Sequence, residues 1–183
     1  MLLKAARAQL LIIDMQEKFI PAMHAAETAI AGCRRLIDAA HVLDIPITYS
    51  EQYPKGLGPT VADLATALGN APQFEKTHFS CAKDEALAQH IIELADEGRD
   101  QIVIAGIESH VCVLQTAVDF GERGLQPFVV ADAVTSRSPA SKDLALRRLD
   151  ANAVEVVTSE MALFEWMEKA GTPAFKAISP LVK

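Results

Sequence analysis

The stretch "QIVIAGIESHVCVLQTAVDFGERGLQPFVVAD", Gln101–Asp132, decides the architecture. It opens with an apolar run of strand length, Gln101–Ile107. Three polar residues follow, Glu108, Ser109 and His110. Val113, Leu114, Ala117 and Phe120 then recur at helical spacing, and Gly124 closes the segment. A second apolar run, Gln126–Asp132, comes next. Strand, helix and strand in immediate succession make a βαβ unit, which requires parallel pairing.

The same alternation extends in both directions. Ala8–Asp14 is a short, nearly all-apolar run, as expected of a strand buried on both faces. A helix over 26–43 carries Ile30, Cys33, Ile37 and Ala40 on one stripe. Ile45–Ser50 reads as the second strand, with Pro46 near its start. The loop "EQYPKGLGP" leads to a short helix for which Thr60 and Asp63 suggest a cap. Gln73–Thr77 is a short third strand, and Asp84 caps the helix after it. Beyond Asp132, Ser138 and Pro139 open a helix as cap and first residue. Ala153–Thr158 is a sixth strand, and "SEMALFEWMEKA" a last helix. The tail from Gly171 shows no period. Six strands with intervening helices predict an α/β fold, three-layered and doubly wound, with a parallel sheet and helices on both faces. No composition break divides the chain, so residues 1–183 are expected to form a single domain.

The chain has 183 residues, half of them hydrophobic, 22% charged, and a formal net charge of −7. That charge repels phosphate backbones, and no basic run offsets it, so nucleic acid is not an expected partner. No apolar run is long enough to span a bilayer, so no membrane partner is expected either. Three cysteines at irregular spacing, Cys33, Cys81 and Cys112, fit a reducing, cytoplasmic setting better than a disulfide framework. Neither CxxC nor HxxxH spacing appears, and "PKGLGP" matches no phosphate-loop pattern, so neither metal nor cofactor is expected.

In a doubly wound sheet, sites form beyond the carboxyl ends of the strands, where strand order reverses. Asp14 ends the first strand, Ser50 and Glu51 the second, and Asp132 the fifth. Lys76 lies at the third. Glu108, Ser109, His110 and Cys112 follow the fourth. Each has an ordinary reading, as a cap, a solvated lysine or a buried thiol. Cys33, on its helix's apolar stripe, is a core filler, while Cys81 and the histidines His78 and His110 stay open. Cys112 differs because a helix begins there, and free N–H groups with the positive dipole end favour a thiolate. A neighbouring lysine and carboxylate complete an activated nucleophile.

The runs "LLIIDMQEKF", "EKTHFSC", "AGIESHVCVLQTAVDF", "VVADAVTSRS" and "TSEMALFEW" together resemble the isochorismatase-like cysteine hydrolases, in the family's order and over nearly the whole chain. "EQYPKGLGPT" and "GIESHVCV" are most similar to the isochorismatase domain-containing protein subfamily. The resemblance implies the sheet order 3-2-1-4-5-6 and a catalytic triad of Asp14, Lys76 and Cys112. It also implies an oxyanion hole from the backbone N–H groups of Glu108 and Cys112, and a cis peptide at Ile107–Glu108. Gln16, Phe19 and Tyr53 become candidate pocket walls. The implied reaction is metal-independent hydrolysis of a C–N bond in a small amide-like molecule through a thioester. Two alternatives stand beside it: a binding domain with little turnover, and cleavage of an ester or an enol ether such as isochorismate. "SEQYPKG" lacks the histidine that nicotinamidases use as a metal ligand. The resemblance also implies a homo-oligomer, a dimer, tetramer or octamer. The apolar bulk of Met161, Leu163, Phe164, Trp166 and Met167 exceeds what one buried stripe needs.

Overall fold

The computed structural model describes residues 1–182. Six parallel strands form one sheet in the order β3-β2-β1-β4-β5-β6. They are β1 (Ala8–Ile13), β2 (Ile47–Gln52), β3 (Gln73–Lys76), β4 (Gln101–Ile107), β5 (Gln126–Thr135) and β6 (Glu155–Val157). All six residues of β1 and all seven of β4 are buried, as expected of central strands covered on both faces.

Alternation along the strands sorts side chains into two layers. Leu10 and Ile12 of β1, Val103 and Ala105 of β4, and Phe128 and Val130 of β5 enter one apolar cluster. That cluster includes Leu36 and Ile37 of α1 (Ala26–Val42), Leu64 of α3 (Ala62–Leu68) and Leu163 and Trp166 of α7 (Ser159–Met167). Leu11, Ile13, Ile102, Ile104 and Val129 face the other way. They meet Leu87 and Ile91 of α4 (Glu85–Asp96), Ala117 and Phe120 of α5 (Leu114–Glu122), and Ala145 and Leu149 of α6 (Pro139–Asp150).

Several expected boundaries move, for local reasons. β2 starts two residues late, at Ile47, and runs on through Glu51 and Gln52, because β3 pairs with those residues. Pro54–Leu57 forms a single helical turn, α2. Thr60 does not cap α3; Val61 precedes that helix without a side-chain cap, and Thr60 instead donates to Glu51 Oε1 at 2.7 Å through both N and Oγ1. Asp84 and Ser138 do cap α4 and α6, accepting from Leu87 N and Ser141 N. The tail is ordered: Thr172 caps α8 (Pro173–Ile178), and Ile178 is fully buried in the α1-side cluster. One buried isoleucine in a six-residue helix is too little periodicity to read from sequence.

β5 continues to Thr135, with a register shift between Ile104 and Gly106 of its neighbour β4. Gly106 sits there at φ +116°, and a Cβ on it would lie 2.1 Å from Ile13 O. A glycine is therefore needed where β4 crowds the end of β1. α1 also approaches β5 closely, since a Cβ on Gly32 would lie 2.7 Å from Asp132 O. Gly106→Ala is expected to destabilise the protein by about 2–4 kcal/mol, measured as a fall in the urea midpoint without a change in slope.

Candidate active site

The switch point lies between β1 and β4, whose connections leave in opposite directions. Asp14 follows β1 in the left-handed region, at φ 54°, and donates its N–H to Ser50 O at 3.0 Å. Asp is one of the few side-chain-bearing residues that adopt this conformation readily. Both carboxylate oxygens are held. Ser50 Oγ, from β2, donates to Oδ1 at 2.8 Å. Lys76 Nζ, from the end of β3, donates to Oδ2 at 2.8 Å. Both side chains of the Asp14–Lys76 pair are completely buried.

Lys76 is surrounded by acceptors. Gln52 Oε1 lies at 2.6 Å, and the carbonyls of Phe79 and His78 at 3.2 and 3.3 Å. Burial disfavours the Lys76 ammonium, but attraction from the Asp14 carboxylate outweighs it and holds its pKa above the ordinary lysine value. The stability this adds is complete below the ordinary lysine range and is lost only as pH climbs above it.

Gln52 is fixed in turn. Its N–H donates to Gln16 Oε1 at 2.7 Å, and Gln16 Nε2 donates to Gln52 O and Gly58 O at 3.0 and 2.7 Å. The polar atoms of Gln16 are thus spent on backbone, and the residue braces the loop rather than presenting a free amide. Phe19 is half-buried against the α1-side cluster. Tyr53 is 55% exposed and borders a cavity of about 310 Å³ shared with Lys76, Thr77 and Asp84.

Cys112 lies in a π-helical turn, Ser109–Val113, that leads directly into α5. Turns of this widened type recur at functional sites. The Ile107–Glu108 peptide before it is cis, as the resemblance implies. Glu108 O accepts from Val111 N and Val113 N, while among the described residues Glu108 N–H has no acceptor. The Glu108 carboxylate is held by Arg137 Nε at 2.9 Å, and His110 Nδ1 lies 2.9 Å from Ser136 Oγ. Of His78, only the carbonyl approaches the site, at Lys76.

The surroundings of Cys112 oppose the thiolate that the helix start favours. Cys112 is 4% exposed, and burial raises its pKa first, the Asp14 carboxylate second; Lys76 pulls the other way and is outweighed. The start of a helix favours a thiolate, whereas a carboxylate across the site penalises a second negative charge. Cys33 is a core filler, its thiol meeting Ala133 O at 3.4 Å and pushed up to about 12. Cys81 proves to belong to the site's surroundings. It is fully buried, its Sγ lies 3.7 Å from Ser50 Oγ, and burial pushes it up to about 11. Asp132, at an expected strand end, serves structure instead, receiving Ser159 N and Oγ at 2.6 Å and pairing with Arg35.

Among the described residues, no group of three or more His, Cys, Asp or Glu side chains is placed to hold a metal ion, and no helix is long and apolar enough to cross a membrane. The parallel order and the buried acid, lysine and thiol define a doubly wound α/β protein with a polar site at the switch point. Residues 8–161 match the isochorismatase domain. Isochorismatase domain-containing protein 2 of Danio rerio is 40% identical over 173 residues, which cover 94% of this chain and 85% of that protein. The solved MAR1 ribonuclease of Caenorhabditis elegans superposes with a TM-score of 0.92 at 37% identity, covering all of this chain and 92% of that one. The YcaC gene product of Escherichia coli, described as an octameric hydrolase of unknown specificity, shares the fold. Its TM-score is 0.91 at 21% identity, over 98% of this chain and 88% of that one. The chain belongs to the isochorismatase domain family, a family of hydrolases, and sides with its isochorismatase domain-containing proteins.

Lys76→Met is expected to cost about 3–5 kcal/mol, because it leaves a buried carboxylate unpaired. Adding Asp14→Asn should restore much of that loss. Urea unfolding of the single and double variants measures both.

Proposed function

We propose that the protein is a metal-independent cysteine hydrolase that cleaves a C–N bond of a small amide-like molecule through a thioester, with Asp14, Lys76 and Cys112 as its triad. The observation that carries this reading is the buried Lys76–Asp14 pair, 2.8 Å long, with the Cys112 thiol facing the same carboxylate. Asp14 is the base, Lys76 orients it, and Cys112 is the nucleophile.

The thiol proton moves to Asp14 as sulfur attacks the carbonyl carbon. The developing oxyanion is received by the backbone N–H groups of Glu108 and Cys112, donors of a kind typically worth about 3 kcal/mol each. Asp14 then passes the proton to the leaving nitrogen, and the C–N bond breaks. Water, deprotonated by Asp14, cleaves the thioester and releases the acid. Enclosure of all three groups in a dry site strengthens each of these interactions. Tyr53 and Phe19 are the candidate walls for the substrate.

The net charge of −7 and the lack of a basic run do not favour the ribonuclease activity that the nematode relative's name carries. The protein is expected to work as a homo-oligomer in the cytoplasm. Met161 and Phe164 on α7 remain 46% and 45% exposed while Leu163 and Trp166 are buried, so the helix has apolar surface on a second side. The octameric YcaC shows that this fold can assemble.

In a mass-spectrometric screen of small uncharged amides, Cys112→Ala and Asp14→Asn should each lower turnover at least about a thousandfold, while Cys33→Ala retains it. Full activity in Cys112→Ala would overturn the nucleophile assignment. Sedimentation at micromolar concentration should show an assembly larger than a monomer, and Phe164→Glu should reduce its size.

A further inference from the structure

The triad leaves two buried groups beside it without a task, Ser50 and Cys81. Ser50 is 1% exposed and Cys81 fully buried, so water competes for neither. Ser50 Oγ donates to Asp14 Oδ1 at 2.8 Å, on the oxygen that Lys76 does not hold. A hydroxyl has one proton to give, and Ser50 has spent it on the carboxylate. Its lone pairs face Cys81 Sγ at 3.7 Å, a thiol whose S–H can donate. Cys81 is itself anchored, its backbone N–H donating to Thr116 Oγ1 of α5 at 2.9 Å. The result is a directed chain, Cys81 S–H to Ser50 O–H to Asp14 carboxylate. It runs from α5 through the loop after β3 to the end of β2, and then to the residue after β1.

We propose that Ser50 is a positioning residue of this site, which with Cys81 behind it fixes the rotation of the Asp14 carboxylate toward Cys112. The inference rests on the reading of Asp14 as the base. A lysine alone fixes one oxygen and leaves the carboxylate free to swing about its bond to Cβ. A second donor on the other oxygen removes that freedom, as general-base geometry requires. The charged and titratable groups facing Asp14 are Lys76 from β3, Cys81 from the loop after it and Cys112 from the π-turn. Ser50 is the neutral donor among them.

The test is the pH profile of Cys112 alkylation by iodoacetamide, read by peptide mass spectrometry on the folded full-length protein. In wild type, the rate should fall at acid pH as the Asp14–Cys112 pair takes up a proton. Ser50→Ala should move this acid limb upward by about one pH unit, so that the rate well below the midpoint falls roughly tenfold. Ser50→Thr, which keeps the hydroxyl, should retain the wild-type limb. Cys81→Ala should shift it in the same direction as Ser50→Ala, by less. A Ser50→Ala profile that superposes on wild type, while Asp14→Asn changes it, would overturn the role of Ser50 alone. Equal shifts in Ser50→Thr and Ser50→Ala would reduce that role to packing. An Asp14→Asn profile identical to wild type would instead sink the assignment of Asp14 as base.

Discussion

The structure depends on one buried ion pair. A lysine ammonium and a carboxylate with no solvent contact are each costly to desolvate, and the pair persists only if the remaining hydrogen-bonding positions are filled. The fold fills them from separate elements. Lys76 gains Gln52 and two carbonyls of the loop after β3, and Asp14 gains Ser50. The pair therefore pins the carboxyl ends of β1, β2 and β3 to one another. It also explains the three glutamine and serine side chains buried there, whose polarity would otherwise be a liability.

The thiol can meet this pair because β1 sits beside both β2 and β4. Gly106 permits this at its tightest point, where any side chain would collide with Ile13 O. Just past that contact, the chain turns through Glu108 and the π-turn and places Cys112 at the foot of α5. Core packing and site geometry share this one crossing. A change that loosens β4 against β1 would displace the thiol from the carboxylate even though it touches neither.

Much of this was legible in the sequence. The fold followed from apolar runs alternating with helical stripes, and Asp14, Lys76 and Cys112 could be placed at strand ends by topology. The resemblance supplied the sheet order and the cis peptide. Other features were illegible for stated physical reasons. The tail anchors through Ile178, with Phe175, Leu181 and Val182 beside it, in segments too short to show a period. Thr60 looked like a helix cap because cap residues and strand-bracing residues share the same side chains, and only the fold shows that Glu51 claims it. Gln16, Gln52 and Ser50 form a network between distant segments, and no spacing rule links positions thirty-six residues apart.

The thiol illustrates a deeper limit. Local sequence placed Cys112 near a helix start and suggested a stabilised thiolate, but the charge that dominates it comes from Asp14, nearly a hundred residues away in the chain. A thiol that gives up its proton only during attack is also chemically apt. A permanent thiolate facing Asp14 would place two negative charges together, with Lys76 as their shared counterion. Keeping the proton on sulfur until a carbonyl arrives avoids that repulsion. Negative charge then passes to the substrate oxygen, toward backbone N–H groups, as the proton passes to Asp14. The site's total charge is unchanged through the attack, which suits a pocket that water cannot screen.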